Sequence, residues 1–248
     1  MLLDFLTLMA IGFAAQLVDG ALGMAFGLIS TTALLSLGLA PAQASAAAHT
    51  AEIATTGVSG LSHVLHRNIA LRLFVTLSIA GVTGGVLGAW ILSNVDGDAI
   101  RPYVAAYLLL VGIVVLLRVA RAAVPQREAP PGIAAPLGLV GGFLDAIGGG
   151  GWGPLLTSSL IGSGYAPRIV IGSVNAAEFF VTVAISTTFL LHFGLQHATA
   201  ILGLIAGGVL AAPFGAVLAR YLPPRLLMTA VGVVVCGLAT VQLVQALR

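Results

Sequence analysis

In Gly142-Phe143-Leu144-Asp145-Ala146-Ile147-Gly148-Gly149-Gly150-Gly151-Trp152-Gly153-Pro154, an apolar segment breaks at an acid and a run of glycines, then restarts at a proline. The same shape stands 126 positions earlier, in Gln16-Leu17-Val18-Asp19-Gly20-Ala21-Leu22-Gly23-Met24-Ala25-Phe26-Gly27. Sliding the sequence by 126 aligns Gly12–Gly81 with Gly138–Gly207 without a gap, and 17 of these 70 positions are identical. The scarce residues coincide: Asp19 with Asp145, Glu52 with Glu178, His66 with His192, and Gly38-Leu39-Ala40-Pro41 with Gly164-Tyr165-Ala166-Pro167. Four of the eight acids pair in this way, which a chain rich in Leu, Ala and Gly does not supply by chance. The chain is a duplication.

Composition sets where the two copies reside. Of 248 residues, 59% are hydrophobic and 7% charged, against about 25% charged in a soluble domain. Mean hydropathy is +1.11. Such a surface faces lipid, and the chain reads as an integral membrane protein. At about 20 residues per spanning helix there is room for about ten crossings and none for a soluble catalytic domain. The net charge of +2 does not call for nucleic acid, because cytoplasmic loops of membrane proteins carry such an excess. The single cysteine, Cys236, excludes an internal disulfide and a multi-cysteine metal or iron–sulfur site. Met1–Leu17 lacks a basic start and carries Asp4, so it reads as a first helix rather than a signal peptide.

Each copy divides into five apolar segments, giving an all-α membrane protein of ten helical segments. In the first copy (1–121) they are about Leu3–Val18, Gly27–Leu39, Ala42–Leu65, Leu73–Leu92 and Val104–Arg121. In the second (132–248) they are about Gly132–Ala146, Pro154–Ile161, Ile169–His192, Ala198–Tyr221 and Leu226–Leu247. A linker, Ala122–Pro131, carries Pro125, Pro130 and Pro131. Gly and Pro at the density of the quoted stretches do not continue a helix. The first two segments of each copy therefore read as a broken hairpin of two short helices. If each hairpin turns back, every copy makes an odd number of crossings and the two are inverted. Eight arginines then share one side, against Arg101 and Arg248 on the other. That split favours inverted repeats with a cytoplasmic linker and both termini outside.

The acids left inside the membrane are the functional candidates. Near the bilayer centre an Asp costs about 2.5–3.5 kcal/mol, so such residues face a cavity or a partner. Asp19 and Asp145 sit at the breaks, Glu52 and Glu178 near the middle of the third helix of each copy. An inverted twofold would bring all four to the midplane, where half-helix N-termini aim free N–H groups at an anion. For Asp19 and Asp145 the competing reading is helix capping; for the two glutamates it is an interhelical hydrogen bond, against a role in carrying protons. One turn before each Glu stand His49 and Asn175, a titratable partner in one half and a neutral donor in the other. His66 and His192 lie about 21 Å of helix beyond the glutamates, which suits interfacial anchors or one gate at each side. His49-x-x-Glu52 and His63-x-x-His66 lie too far apart to share an ion, and the glycine run lacks the lysine of a phosphate loop. No metal and no cofactor is expected, and no enzyme motif is present.

The two breaks, with His49-Thr50-Ala51-Glu52 and Gly172-Ser173-Val174-Asn175-Ala176-Ala177-Glu178-Phe179-Phe180, resemble the TauE/SafE family of sulfite and organosulfonate exporters. The resemblance covers nearly the whole chain; copy one departs in having neither the triple Gly nor the Pro. It implies a multi-pass carrier of the bacterial inner membrane for sulfite, sulfoacetate or related small sulfur anions. The expected substrate contacts are Asp19, Gly23, Thr31, His49 and Glu52 from the first copy. From the second they are Asp145, Gly149, Gly150, Gly151, Trp152, Thr157, Asn175 and Glu178. Glu52 and Glu178 are the expected proton carriers. The expected partners are a small anion, protons as the coupling ion and the lipid bilayer, with no nucleic acid and with a homo-oligomer left open. The alternative is a passive channel or a cation carrier, for which four acids without basic partners argue.

Overall fold

The computed structural model describes residues 2–22, 24–119, 132–221 and 223–247, which form helices joined by short turns and loops, without strands. The first half holds α1 (Leu2–Leu22), α2 (Phe26–Ser36), α3 (Pro41–Leu65), α4 (Leu71–Asn94) and α5 (Gly97–Val119). The second holds α6 (Ala134–Gly148), a π-helical turn (Gly153–Thr157) leading into α7 (Ser158–Gly162), α8 (Pro167–Phe193), α9 (Ala198–Tyr221) and α10 (Pro224–Ala246). The linker expected at 122–131 lies outside the described residues. Five helices (α1, α4, α5, α8 and α10) are long and apolar enough to cross a membrane by length and composition. The chain is an all-α, multi-pass membrane protein.

Local chemistry explains the helix starts. Gly38 and Gly164 take left-handed φ values of 93° and 100°, a conformation that costs only glycine nothing. Each is followed three residues later by the proline that opens α3 or α8, where its missing N–H is no loss. One expectation changes. The first hairpin arm is not short: α1 runs for 21 residues, because Gly20 and Ala21 continue the helix past Asp19 and the chain breaks only after Leu22.

The contacts fix the direction of each helix. Gly12 of α1 abuts Leu204 of α9 and Gln16 abuts Gly208, so these two run parallel. Their counterparts do the same, with Gly138 of α6 against Ala80 of α4 and Ala146 against Gly88. Glycine makes the approach possible. A Cβ on Gly84 or Gly142 would fall on backbone atoms of the partner helix, the close packing that small residues permit where lipid offers no hydrophobic drive. Helices related by the duplication run antiparallel. Asn175 of α8 bonds Ser59 late in α3, while Gln43, early in α3, shares a pocket with Phe193 at the end of α8. In α5 and α10, Gly112 faces Cys236 and Leu116 faces Gly232.

Each hairpin leaves and returns at one end of the bundle. Asp4 at the start of α1 and Leu37 and Leu39 beyond α2 line one cavity with His197, just before α9. At the opposite end α6 runs beside α4 from its beginning, and Arg168 at the start of α8 donates to Asn68 and to the carbonyl of His66. The hairpins thus enter from opposite ends.

Candidate functional site

The two breaks meet in the interior. Asp19 Oδ1 accepts the N–H groups of Ala25 (2.7 Å) and Phe26 (3.2 Å), which open α2. Asp145 Oδ1 accepts those of Gly151 (2.8 Å) and Trp152 (3.0 Å), which open the second arm of its hairpin. The offsets of six and seven residues are the same in both copies. Both aspartates therefore cap a half-helix, satisfying donors that have no partner within the helix. Capping does not exhaust Asp145. Its Oδ2 lies 3.2 Å from His49 Nε2, while His49 Nδ1 lies 2.8 Å from the Ser45 carbonyl. Ser45 in turn donates to the Ala146 carbonyl at 2.6 Å.

The seam between the hairpins is close. Thr31 Oγ1 donates to the Gly149 carbonyl at 3.2 Å, and Gly149 has a left-handed φ of 66°. A Cβ on Gly150 would fall onto the backbone of Leu28. Beside this seam lies a crevice of about 10 Å3, lined by Gly27, Glu52, Asp145, Gly153, Pro154 and Glu178 among others. Glu52 is buried and faces the N–H of Gly27 in the first turn of α2. Glu178 is half-buried on the other wall.

From the crevice region a cavity of about 680 Å3 opens toward the end of the bundle that holds His66 and Arg168. Asp19, Asn175, Ser59, Gln16 and His63 line it, with Asn175 Nδ2 donating to Ser59 Oγ at 3.2 Å. Positions 126 residues away carry Asp145, His49, Ile185, Gly142 and Phe189. There the Asp–His pair and buried Ile185 and Phe189 fill the space.

The expected residues divide into three groups. Glu52, Asp145, Gly150, Gly151 and Glu178 line the crevice, and Asp19 and Asn175 line the open cavity. Thr31, His49 and Gly149 stand behind the crevice, holding its walls. Trp152 is fully buried and donates from Nε1 to the Val174 carbonyl at 3.1 Å, so it wedges the hairpin against α8 rather than lining the cavity. Thr157 is buried as well. Gly23 lies outside the described residues. His66 and His192 are not at the site. Both are exposed, each with Nδ1 turned to a carbonyl of its own helix, at opposite ends of the bundle.

Reading the sequence missed Ser45, Ser59 and Gln16. A signal for the first two was present: Ser45, His49, Glu52, Thr56, Ser59 and His63 recur at three or four residues and form one polar stripe along α3. Tyr107 of α5, packed onto Gly148 and Gly151, carried no such signal, because its counterpart is Val233.

The seam supplies a direct test of this packing. Gly150→Ala sets a methyl group against backbone, which no rotamer change relieves, and a loss of about 1–3 kcal/mol is expected. Gly237→Ala, where nothing lies within 4 Å, should show no comparable loss. Thermal unfolding of the purified variants in detergent compares the two.

Residues 8–242 match the family model for the sulfite exporter TauE/SafE. Over 230 residues, 90% of this chain and 77% of the relative, the sequence is 41% identical to the "Probable membrane transporter protein YtnM" of Bacillus subtilis (strain 168). No solved structure matches the chain. With paired half-helices meeting inside an all-helical membrane bundle, and with a family match across most of its length, the chain belongs to the TauE/SafE family of membrane transporters.

Proposed function

We propose that the protein is a secondary transporter of a small sulfur-containing anion, sulfite or an organosulfonate, working by alternating access and coupled to protons. The observation that carries this reading is the meeting of two capped half-helix starts beside a crevice lined by Glu52 and Glu178. A crevice of about 10 Å3 holds no more than a water, so passage requires the hairpins to part. The antiparallel course of α3 with α8 and of α5 with α10 supports inverted repeats, in which the mirror-related rearrangement opens the other side. In that state the His49–Asp145 contact would separate and the Asp19 side would close. Asn175 and Ser59 supply donors for an anion, while Glu52 and Glu178 take up and release the protons.

A cation carrier is the competing reading, favoured by the three carboxyl groups that line the crevice without an Arg among the lining residues. Radiolabelled sulfite flux into proteoliposomes, at two imposed pH gradients and with sulfonate competitors, separates the readings. Saturable flux that follows the gradient is expected. Cation flux without anion flux would overturn the proposal.

A further inference from the structure

A second cavity, of about 590 Å3, lies away from the crevice, between α3, α4 and α8. Leu61, Val64, Phe74, Phe179 and Phe180 line it, and Arg67 stands at its end. Leu61, Val64 and Phe180 are all exposed. Gly57 and Gly60 keep the α3 wall thin: a Cβ on Gly57 would meet the Phe179 ring at 3.3 Å, and one on Gly60 the Cα of Ala176 at 3.2 Å.

The duplication provides an internal control. The equivalents of Gly57, Gly60 and Arg67 are Val183, Ser186 and Phe193. The corresponding pocket, which Ser186 and Phe193 line with residues of α3, measures about 20 Å3. Phe193 stacks there on Phe189 with ring centroids 6.3 Å apart. One packing of helices is therefore filled in one half and hollow in the other. The position that carries an aromatic ring in the filled copy carries a positive charge in the hollow one.

That charge stands at the Arg-rich end of the bundle. Arg67, Arg72 and Arg168 are all exposed there, and Arg168 ties the loop of His66 and Asn68 to α8. The residues lining the groove include no acid. An apolar trough within the membrane, ending in a cation at the depth where headgroups lie, is complementary to a lipid with a negative headgroup.

We propose that this groove is a binding site for an anionic phospholipid. One acyl chain lies against Leu61, Val64, Phe74 and Phe180, and the headgroup phosphate meets Arg67. The site is separate from the transport path, so the proposal does not rest on the substrate.

Thermal unfolding of the full-length chain in detergent tests it, with phosphatidylglycerol, phosphatidylcholine of the same acyl chains, or inorganic phosphate added. Saturating phosphatidylglycerol should raise Tm by about 5 °C more than phosphatidylcholine does, and inorganic phosphate should raise it not at all. Arg67→Gln, an exposed change that leaves the fold, should erase the difference between the two lipids. Leu61→Trp, which fills the trough, should erase the response to both. Equal shifts for the two lipids would overturn the proposal. So would a preference that survives Arg67→Gln, since that would report the general positive field of this end. Dimer loss on Leu61→Trp without any lipid response would assign the groove to a second copy of the chain instead.

Discussion

Glu178→Gln is expected to reduce pH-driven flux about a hundredfold, the lower end of what removing a proton-transferring side chain costs, while the protein still folds. The carboxyl lies half-buried on the α8 wall of the crevice, across from Glu52 on α3. Gln keeps the shape and the hydrogen-bonding reach but cannot titrate, so packing survives and proton exchange does not. Glu52→Gln should behave alike, because Glu52 holds the same repeat position and lines the same crevice. Flux into proteoliposomes with and without an imposed pH gradient checks both, and a melting curve in detergent checks the fold. Two variants that keep the full gradient dependence would remove proton coupling from these residues.

Asp145→Ala should destabilise the protein far more than Asp19→Ala, although the two residues are related by the repeat. Asp19 caps α2 through Oδ1, and losing a cap costs about 1–2 kcal/mol. Asp145 caps its half-helix in the same way and also holds buried His49 through Oδ2. Removing Asp145 also leaves a buried ring nitrogen of His49 without its partner, at about 1–3 kcal/mol more. His49 cannot turn away to water, since it is fully buried and its Nδ1 is engaged with the Ser45 carbonyl. Asp145→Asn retains an acceptor for both capping N–H groups and should fall between the two alanine variants. Unfolding in detergent gives the order, and equal losses for the two alanine variants would mean that the His49 contact adds nothing.

The asymmetry behind that prediction was half visible in the residues. His49 and Asn175 occupy one repeat position, so a division of labour between the halves could be read directly. The partner of His49 could not. It lies 96 positions away in the other copy, and no spacing along one chain reveals a contact across a twofold. Sequence reasoning placed Thr31 and Trp152 among the substrate contacts; in the fold the Thr31 hydroxyl donates to the Gly149 carbonyl and the Trp152 indole to the Val174 carbonyl.

The sequence by itself determined the class, the duplication and the set of buried acids. Each of these follows from quantities local to the chain. Hydropathy does not depend on packing, a 126-residue offset needs only the letters, and an acid within an apolar run requires company wherever it lies. Tertiary structure alone decided which company it keeps. It showed that Asp145 rather than Glu52 pairs with His49. It also showed that one copy is open where its twin is filled. These are results of helix docking, in which glycine-lined backbones approach until side chains from distant parts of the chain share one volume. A single added Cβ at Gly150 would change that outcome without altering any pattern legible in the sequence.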